Sequence, residues 1–119
     1  MAEKVIVLGG SGFLGSHVCD VLTKRGYDVT IFDKKKSSWI NKNQQMVIGD
    51  ICNYEEVNNV IKYSDYVYNF AGISDLNEGI NKPIQTIEVN VLGNANILES
   101  SKINNIKQFL FASSIYIFS

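Results

Sequence analysis

Three glycines near the start of the chain have the spacing of a turn that binds phosphate groups. A short apolar run at residues 5–8 leads into Gly9, Gly12 and Gly15, and a helical pattern begins within the glycines. We expect Gly9 to form the tight turn, Gly12 to let backbone N–H groups approach a pyrophosphate, and Gly15 to let the helix pack closely on the strand. The first turn of that helix would add unpaired N–H donors and a partial positive charge, so the anion needs no basic side chain.

An acidic residue follows where a dinucleotide-binding fold needs one. Asp33 stands eighteen residues after Gly15 and directly follows a second strand-like run at residues 28–32. At the end of a strand, this carboxylate can accept hydrogen bonds from both hydroxyls of an adenosine ribose. An ordinary surface carboxylate is the structural alternative, because strand ends often carry aspartate. Together with the glycines, Asp33 predicts a dinucleotide site.

Strand-like and helix-like segments alternate along the chain and would position these residues. Short runs that are apolar nearly throughout, as in a parallel sheet covered on both faces, predict strands at residues 4–8, 28–32, 45–48, 66–70 and 108–112. Apolar residues at helical spacing predict helices at residues 13–25, 54–62 and 84–103. Right-handed crossovers then predict an α/β fold, a doubly wound, Rossmann-like parallel sheet of strand order 3-2-1-4-5, in one domain over residues 1–119.

Length and charge narrow the class of protein. A chain of 119 residues can bury one core but not a core plus a substrate domain. Its formal net charge of −1 argues against nucleic-acid binding, which needs a basic face. The cluster Lys34-Lys35-Lys36 is most simply a solvated loop, although it stands where a 2′-phosphate could be met.

The apolar runs and the cysteines indicate in which cellular compartment the protein works. No run approaches the roughly 18 apolar residues that a membrane span needs, and no signal peptide is visible. Cys19 and Cys52 are isolated and lack the spacing of metal ligands. We therefore expect reduced thiols, a cytoplasmic location and no bound metal.

Four further motifs turn a general Rossmann pattern into a family resemblance. In chain order they are Gly49-Asp50-Ile51 after the third strand, Asn69-Phe70-Ala71-Gly72 at the end of the fourth, Asn90-Val91-Leu92-Gly93-Asn94 in the long helix, and Phe111-Ala112-Ser113-Ser114 at the end of the fifth. With the glycine turn, this set resembles the N-terminal half of the extended short-chain dehydrogenases/reductases, the NAD-dependent epimerase/dehydratase family that acts on nucleotide sugars. The resemblance covers essentially all 119 residues.

The resemblance implies a role for each matching residue. Phe13 and Leu14 lend backbone N–H groups to the pyrophosphate turn, and Asp33 favours NAD over NADP because a carboxylate repels a 2′-phosphate. Asp50 accepts from the exocyclic amine of adenine, and Ile51 covers the ring. The implied cofactor-binding residues are Gly9, Gly12, Phe13, Leu14, Gly15, Asp33, Asp50, Ile51, Ala71, Gly72 and Asn90.

Two of the polar residues that match the family have structural alternatives. Asn90 matches a helix asparagine near the cofactor, but it could equally satisfy backbone groups at an irregularity of the helix. Ser114 matches the catalytic serine, which binds a sugar hydroxyl or ketone and shares a proton with a tyrosine. Ser113-Ser114 could also be a simple turn at a strand end.

The resemblance further implies that Ala71 and Gly72 keep the backbone close to the nicotinamide-side phosphate and ribose.

The chain departs from the family pattern at three places. Asn69 stands where the family has histidine, and Phe118 occupies the position of a family tyrosine. The third departure is larger, because the chemistry needs a Tyr-x-x-x-Lys pair whose lysine lowers the tyrosine pKa. No tyrosine from Tyr27 to Tyr68 has a lysine four residues later, and Tyr116 lies too close to Ser114 to be that base.

We therefore expect the NAD-binding N-terminal part of a nucleotide-sugar epimerase or dehydratase, truncated after strand 5 and inactive as 119 residues. The alternatives are a free-standing, non-catalytic NAD-binding module, half of a split enzyme, or a broken reading frame whose product barely folds. The full-length relative would bind a nucleotide sugar, and we expect neither a nucleic acid nor a membrane as partner. The exposed edge of the fifth strand, with the apolar C-terminal tail, would favour self-association.

Overall fold

Five parallel strands form one sheet in a computed structural model that describes residues 2–72 and 76–112. The strands are β1 (Lys4–Leu8), β2 (Asp28–Asp33), β3 (Gln44–Ile48), β4 (Tyr66–Asn69) and β5 (Gln108–Phe111). Their order in the sheet is β3-β2-β1-β4-β5, which confirms the predicted doubly wound α/β topology. Every strand boundary lies within one residue of its prediction.

The register of the strands brings the carboxyl ends of β1, β2 and β4 to one edge of the sheet. Leu8 is paired with Phe32 on one side and with Asn69 on the other. The next residues extend these ladders, because the Gly9 N–H donates to the Phe32 carbonyl at 2.8 Å and the Phe70 N–H donates to the Leu8 carbonyl at 2.7 Å. The loops that follow the three strands therefore begin side by side, at the edge where α/β sheets bind ligands.

Among the described residues, five α-helices and one π-helical segment connect the strands. They are α1 (Phe13–Lys24), α2 (Tyr54–Ile61), α3 (Leu76–Asn81), α4 (Pro83–Ile87), the π segment (Glu88–Gly93) and α5 (Asn94–Ile103). None of these helices is long and apolar enough to cross a membrane.

The helix prediction for residues 84–103 was wrong in one respect. The helical path is continuous from α4 to α5, but the wider turns of the π segment interrupt the α-helix at its centre. The apolar spacing in this region is compatible with both kinds of turn, so it does not distinguish a π-helical from an α-helical turn. The short helix α3 was not predicted, because its sequence contains Gly79 and two asparagines, which are weak helix formers.

Two apolar clusters, one on each face of the sheet, form the core. Alternation along β1 directs Ile6 and Leu8 to the face covered by α2 and α5, and Val5 and Val7 to the face covered by α1. The first cluster also contains Phe32, Ile51, Val57, Ile61, Val67 and Ile97. The second also contains Cys19, Leu22, Val29 and Ile31. Because both faces of the central strands are covered, these strands are apolar at nearly every position.

Candidate functional site

A cavity of about 490 Å³ opens at the carboxyl edge of the sheet. Its walls come from the turn after β1 and from the loops after β2, β3 and β4, with α3 and the helix after it on the far side. Six residues that the sequence predicts as cofactor-binding line this cavity, namely Gly9, Gly12, Asp33, Ile51, Ala71 and Gly72. Residues that are far apart in the sequence thus meet at one site.

The other predicted residues lie beside the cavity or beyond the described residues. Phe13 and Leu14 form the first turn of α1 and are 76% and 54% exposed. Asn90 lies in the π segment, and its Oδ1 would be 3.0 Å from a Cβ atom at Gly72. Ser114 lies outside the described residues, and its role stays a prediction.

Gly9 and Gly15 lack side chains because the turn packs backbone against backbone. Gly9 has a φ angle of +77°, and a Cβ atom there would stand 2.5 Å from the backbone nitrogen of Ala71. A Cβ atom at Gly15 would overlap the carbonyl oxygen of Gly9. The fold of the turn itself therefore requires both glycines, the first for its left-handed backbone and the second for the close approach of α1.

Gly12 differs, since a Cβ atom there would meet one backbone atom at an ordinary distance and no closer neighbour among the described residues. Its backbone is extended, with φ −77° and ψ 177°, a conformation that any residue adopts. A Cβ atom would meet the Gly9 carbonyl oxygen at 3.5 Å, which is an ordinary contact. Gly12 lines the cavity at the N-terminus of α1. The missing side chain thus keeps the cavity open in front of unpaired helix N–H groups, which favour an anion.

The Asp33 carboxylate joins the glycine turn to the end of β2. Its Oδ2 accepts a hydrogen bond from the Ser11 N–H at 3.1 Å, and its Oδ1 accepts from the Lys34 N–H at 2.7 Å. The Ser11 hydroxyl in turn donates to the Lys35 carbonyl at 2.7 Å. Because each carboxylate oxygen can accept more than one hydrogen bond, Asp33 holds the turn and still presents acceptors to the cavity that it lines.

Asp50 stands between Gly49 and Ile51, which line the cavity, and belongs to a small polar network. Its Oδ1 accepts from the Cys52 N–H at 2.9 Å, and its Oδ2 lies 3.6 Å from the Lys34 ammonium. The Asp50 N–H donates to Glu56 Oε2 at 2.8 Å. The Lys34 and Asp50 side chains are 52% and 45% exposed, so their ion pair contributes little to stability and can open readily.

Asn69, where the family pattern has histidine, is buried at the end of β4. Its Oδ1 accepts from the Ala71 N–H at 2.9 Å, and its Nδ2 donates to Asn94 Oδ1 at 3.0 Å. The asparagine therefore fixes the backbone at Ala71, which lines the cavity, and ties it to the start of α5. A buried amide side chain whose oxygen and nitrogen are both hydrogen-bonded in this way stabilises the fold.

Sequence reasoning did not find several residues of the cavity wall. The cluster Lys34-Lys35-Lys36 was interpreted most simply as a solvated loop, with contact to a 2′-phosphate as the alternative, and Lys34 and Lys35 both line the cavity beside Asp33. Gln85 and Val89 also line it from the helix opposite the strand ends. Their separation of four residues places them on one helix face, and this spacing is the signal that could have identified them.

Neither cysteine is activated as a nucleophile. Burial raises the pKa of the Cys19 thiol to about 12. Burial, followed by the charge of Asp50, also raises the pKa of the Cys52 thiol. The thiolate is the reactive form, so a raised pKa lowers the reactive fraction of each thiol. In residues 2–72 and 76–112, no three His, Cys, Asp or Glu side chains form a group that could hold a metal ion.

Known proteins that resemble the chain include nucleotide-sugar epimerases. A UDP-glucose 4-epimerase from Klebsiella pneumoniae is 30% identical, over 97% of this chain and 91% of its own length. Solved UDP-glucose 4-epimerases from Thermotoga maritima, with UDP-glucose, and from Thermus thermophilus, with NAD, are each 28% identical over 93% of this chain. Their TM-scores are 0.88 and 0.87, and the chain covers 38% and 37% of their lengths.

The chain is much shorter than most of these relatives. Seven further curated relatives are matched over only 30% to 38% of their own length, so the chain spans about a third of each.

The family match extends over nearly the whole chain. The model of the NAD dependent epimerase/dehydratase family matches residues 5–119, which include the glycine turn, Asp33 and the motifs after β3, β4 and β5. The resemblance that the sequence motifs suggested is thereby confirmed, and NAD is the cofactor after which this family is named. The chain belongs to the NAD dependent epimerase/dehydratase family.

Proposed function

We propose that the chain forms the NAD-binding domain, over residues 1–119, of an oxidoreductase of the nucleotide-sugar epimerase or dehydratase type. The observation that carries this proposal is the open space at Gly12. The other two glycines of the turn are needed by the fold, whereas Gly12 leaves room in front of a helix N-terminus on the cavity wall. A pyrophosphate is the group that such a cradle of backbone N–H donors fits.

The residues around this cradle suit the adenosine half of NAD. The backbone at Phe13 and Leu14 would bind the pyrophosphate, and the Asp33 carboxylate would accept from the ribose hydroxyls. Asp50 would accept from the adenine amine, and Ile51, which lines the cavity, would supply an apolar wall for the ring.

The opposite end of the cavity suits the nicotinamide half. We propose that Ala71 and Gly72 keep the backbone close to the cofactor there, and that Asn90 supports Gly72 from the π segment. Asn90 does lie at a helix irregularity, which is the alternative that the sequence left open. When bound, NAD supplies the acceptor for a hydride from a sugar carbon.

We propose a nucleotide sugar as the substrate class and nucleotide-sugar metabolism as the setting. The solved Thermotoga maritima relative was crystallised with UDP-glucose, and the Klebsiella pneumoniae relative is a UDP-glucose 4-epimerase. Ser114 is proposed to bind the reacting sugar oxygen. Two cysteines that are free thiols accord with a cytoplasmic, reducing setting, which also remains a proposal.

The sequence favours one alternative function. The 119 residues contain no Tyr-x-x-x-Lys pair, and the chain spans about a third of most relatives. We therefore propose that these residues bind NAD without turning over a nucleotide sugar by themselves. A free-standing NAD-binding module, or half of a split enzyme that pairs through the edge of β5, would have the same properties.

Calorimetric titration of the purified chain with NAD tests the proposal. We expect saturable one-to-one binding, with competition by AMP, because the adenosine half of the site lies within the described residues. A chain that is folded by circular dichroism but takes up neither NAD nor AMP would contradict the proposed function. Conversion of UDP-glucose to UDP-galactose by the chain alone would contradict the proposal that these residues are not sufficient for catalysis.

A further inference from the structure

Ile51, which forms part of the cavity wall, packs directly against the π segment. Ile51 lines the cavity and is 6% exposed, and its side chain lies over Gly93. A Cβ atom at Gly93 would overlap Cδ1 of Ile51 and would stand 2.6 Å from its Cγ1 and 3.4 Å from its Cβ. Ile51 thus occupies the space that any side chain at position 93 would need.

The main chain at Ile51 is tied to the same helix. The Nδ2 atom of Asn96 donates to the Ile51 carbonyl at 2.9 Å, and the Cys52 thiol donates to the Glu88 carbonyl at 3.5 Å. The loop after β3 is therefore fastened to the π segment and to α5 through its backbone, while Gly93 accommodates its side chain.

The side chain of Ile51 has room to move in one direction. It belongs to the buried cluster that contains Val57 and Ile97, each 0% exposed. A close-packed interior does not absorb an added methyl group, and a β-branched side chain has few alternative rotamers. The open side of Ile51 is the cavity that it lines. A side chain at position 93 would therefore push Ile51 into the cavity.

We infer that Gly93 is a positioning residue for the adenine subsite. Because Gly93 has no side chain, the Ile51 side chain can pack against the helix instead of projecting into the cavity. The hydrogen bond from Asn96 fixes the backbone of Ile51 in that position. Together they set the room available to the adenine ring, although Gly93 itself does not line the cavity. The inference rests on the proposed NAD site and specifies what makes its adenine end wide enough.

The test compares Gly93→Ala with a control variant and a rescue variant. The control is Gly79→Ala, another helical glycine, where an added Cβ would meet Thr86 Cγ2 at an ordinary 3.8 Å. The rescue is Gly93→Ala combined with Ile51→Ala, which removes the Cδ1 and Cγ1 atoms that the new methyl group would overlap and leaves only the Cβ of residue 51, at 3.4 Å. Affinities for NAD, AMP and inorganic pyrophosphate are measured by calorimetry, with thermal unfolding followed in parallel.

We expect Gly93→Ala to lower the affinity for NAD and for AMP at least about tenfold, as overpacking does. Its affinity for pyrophosphate, which lacks adenine, should be unchanged, and a purely structural defect would lower all three. Gly79→Ala should bind all three ligands like the wild type. The Gly93→Ala and Ile51→Ala double variant should bind AMP more tightly than Gly93→Ala does, because both overlapping atoms are gone.

A folded Gly93→Ala variant that binds AMP as tightly as the wild type would overturn the inference. A double variant that is no better than Gly93→Ala, whether folded or not, would also overturn it, because the collision would then not involve Ile51. A wild type that binds neither NAD nor AMP contradicts the proposed function, and the adenine role with it. A wild type that binds both while Gly93→Ala is unaffected contradicts this inference alone.

Discussion

The backbone N–H of Ser11 donates a hydrogen bond to Asp33 Oδ2 at 3.1 Å, and this bond joins the glycine turn to the end of β2. The two residues are 22 positions apart in the sequence, and the pairing of β1 with β2 brings them together. The carboxylate therefore has a structural role in addition to the ribose-binding role that we propose for it.

Replacement of Asp33 by asparagine should weaken the preference for NAD over NADP. The asparagine keeps an oxygen that can accept from one backbone N–H, but it removes the negative charge that repels a 2′-phosphate. We expect the ratio of NADP affinity to NAD affinity to rise at least about fivefold, which corresponds to ~1 kcal/mol for a charge pair in water. Calorimetric titrations with the two cofactors measure the ratio.

Asp28→Asn is the matched control for this experiment. It makes the same change in charge at the opposite end of β2, beyond the screening length of physiological salt from the cavity. The ratio of affinities should stay at the wild-type value in this variant. An equal ratio in wild type and Asp33→Asn would rule out a cofactor-selecting role for Asp33.

Gly12→Ala should affect NAD binding much more than stability, whereas Gly15→Ala should lower stability. At Gly12, the loss of a favourable N-cap and the lower entropy of the unfolded chain oppose each other, so the free energy of unfolding should change by less than about 1 kcal/mol. NAD affinity should nevertheless fall at least about tenfold, because the new methyl group enters the cradle.

At Gly15, by contrast, a Cβ atom meets backbone atoms of Gly9 and Gly10. We expect Gly15→Ala to lower the free energy of unfolding by about 1–3 kcal/mol or more. Urea denaturation measures both variants, and the NAD titration is done on Gly12→Ala. If Gly12→Ala binds NAD normally, the open space at Gly12 is not a pyrophosphate site.

Asn69→Ala should destabilise the fold. The substitution leaves the Ala71 N–H and Asn94 Oδ1 without the partners that they have at 2.9 and 3.0 Å. Loss of a buried hydrogen-bonding partner lowers the free energy of unfolding by about 1–3 kcal/mol. Asn59→Ala, at an exposed position of α2, is the control and should stay within about 0.5 kcal/mol of the wild type. Equal midpoints for the two variants in urea denaturation would contradict the prediction.

The buried thiol of Cys19 should make the protein less stable in alkali. In the folded chain, burial raises its pKa from an ordinary value near 9 to about 12. The unfolded chain loses this proton first, so the stabilisation is fully present below about pH 9 and is lost as the pH rises from about 9 towards 12.

Cys19→Ala removes this titration, although it also removes a buried side chain. We expect the wild type to lose more of its free energy of unfolding than Cys19→Ala does between about pH 8 and pH 10.5. Urea denaturation at a series of pH values gives the two curves. Curves that stay parallel over this range would mean that the thiol of Cys19 does not ionise differently in the folded and unfolded chains.

The local pattern of the sequence was enough to predict most of the elements. Residues 4–8 were predicted as a strand with the observed boundaries, and α1 and α2 end within one residue of their predictions. These elements are determined by apolar periodicity and by glycines that the local backbone requires, both of which can be recognised within a few residues. The glycine spacing and the position of Asp33 likewise indicated where the cavity would form.

The contacts that shape the cavity depend on residues distant in sequence, and only the tertiary structure decided them. The π segment at residues 88–93 ends at Gly93, which packs on Ile51. Asn96 donates a hydrogen bond to the carbonyl of the same isoleucine. Lys34 meets Asp50 because β2 and β3 are neighbours in the sheet. The sequence alone determined the family, the strand order and the residues at the edge of the sheet. The width of the site and the partners of its polar groups depend on close packing, since they are set by distances between loops that local patterns do not encode.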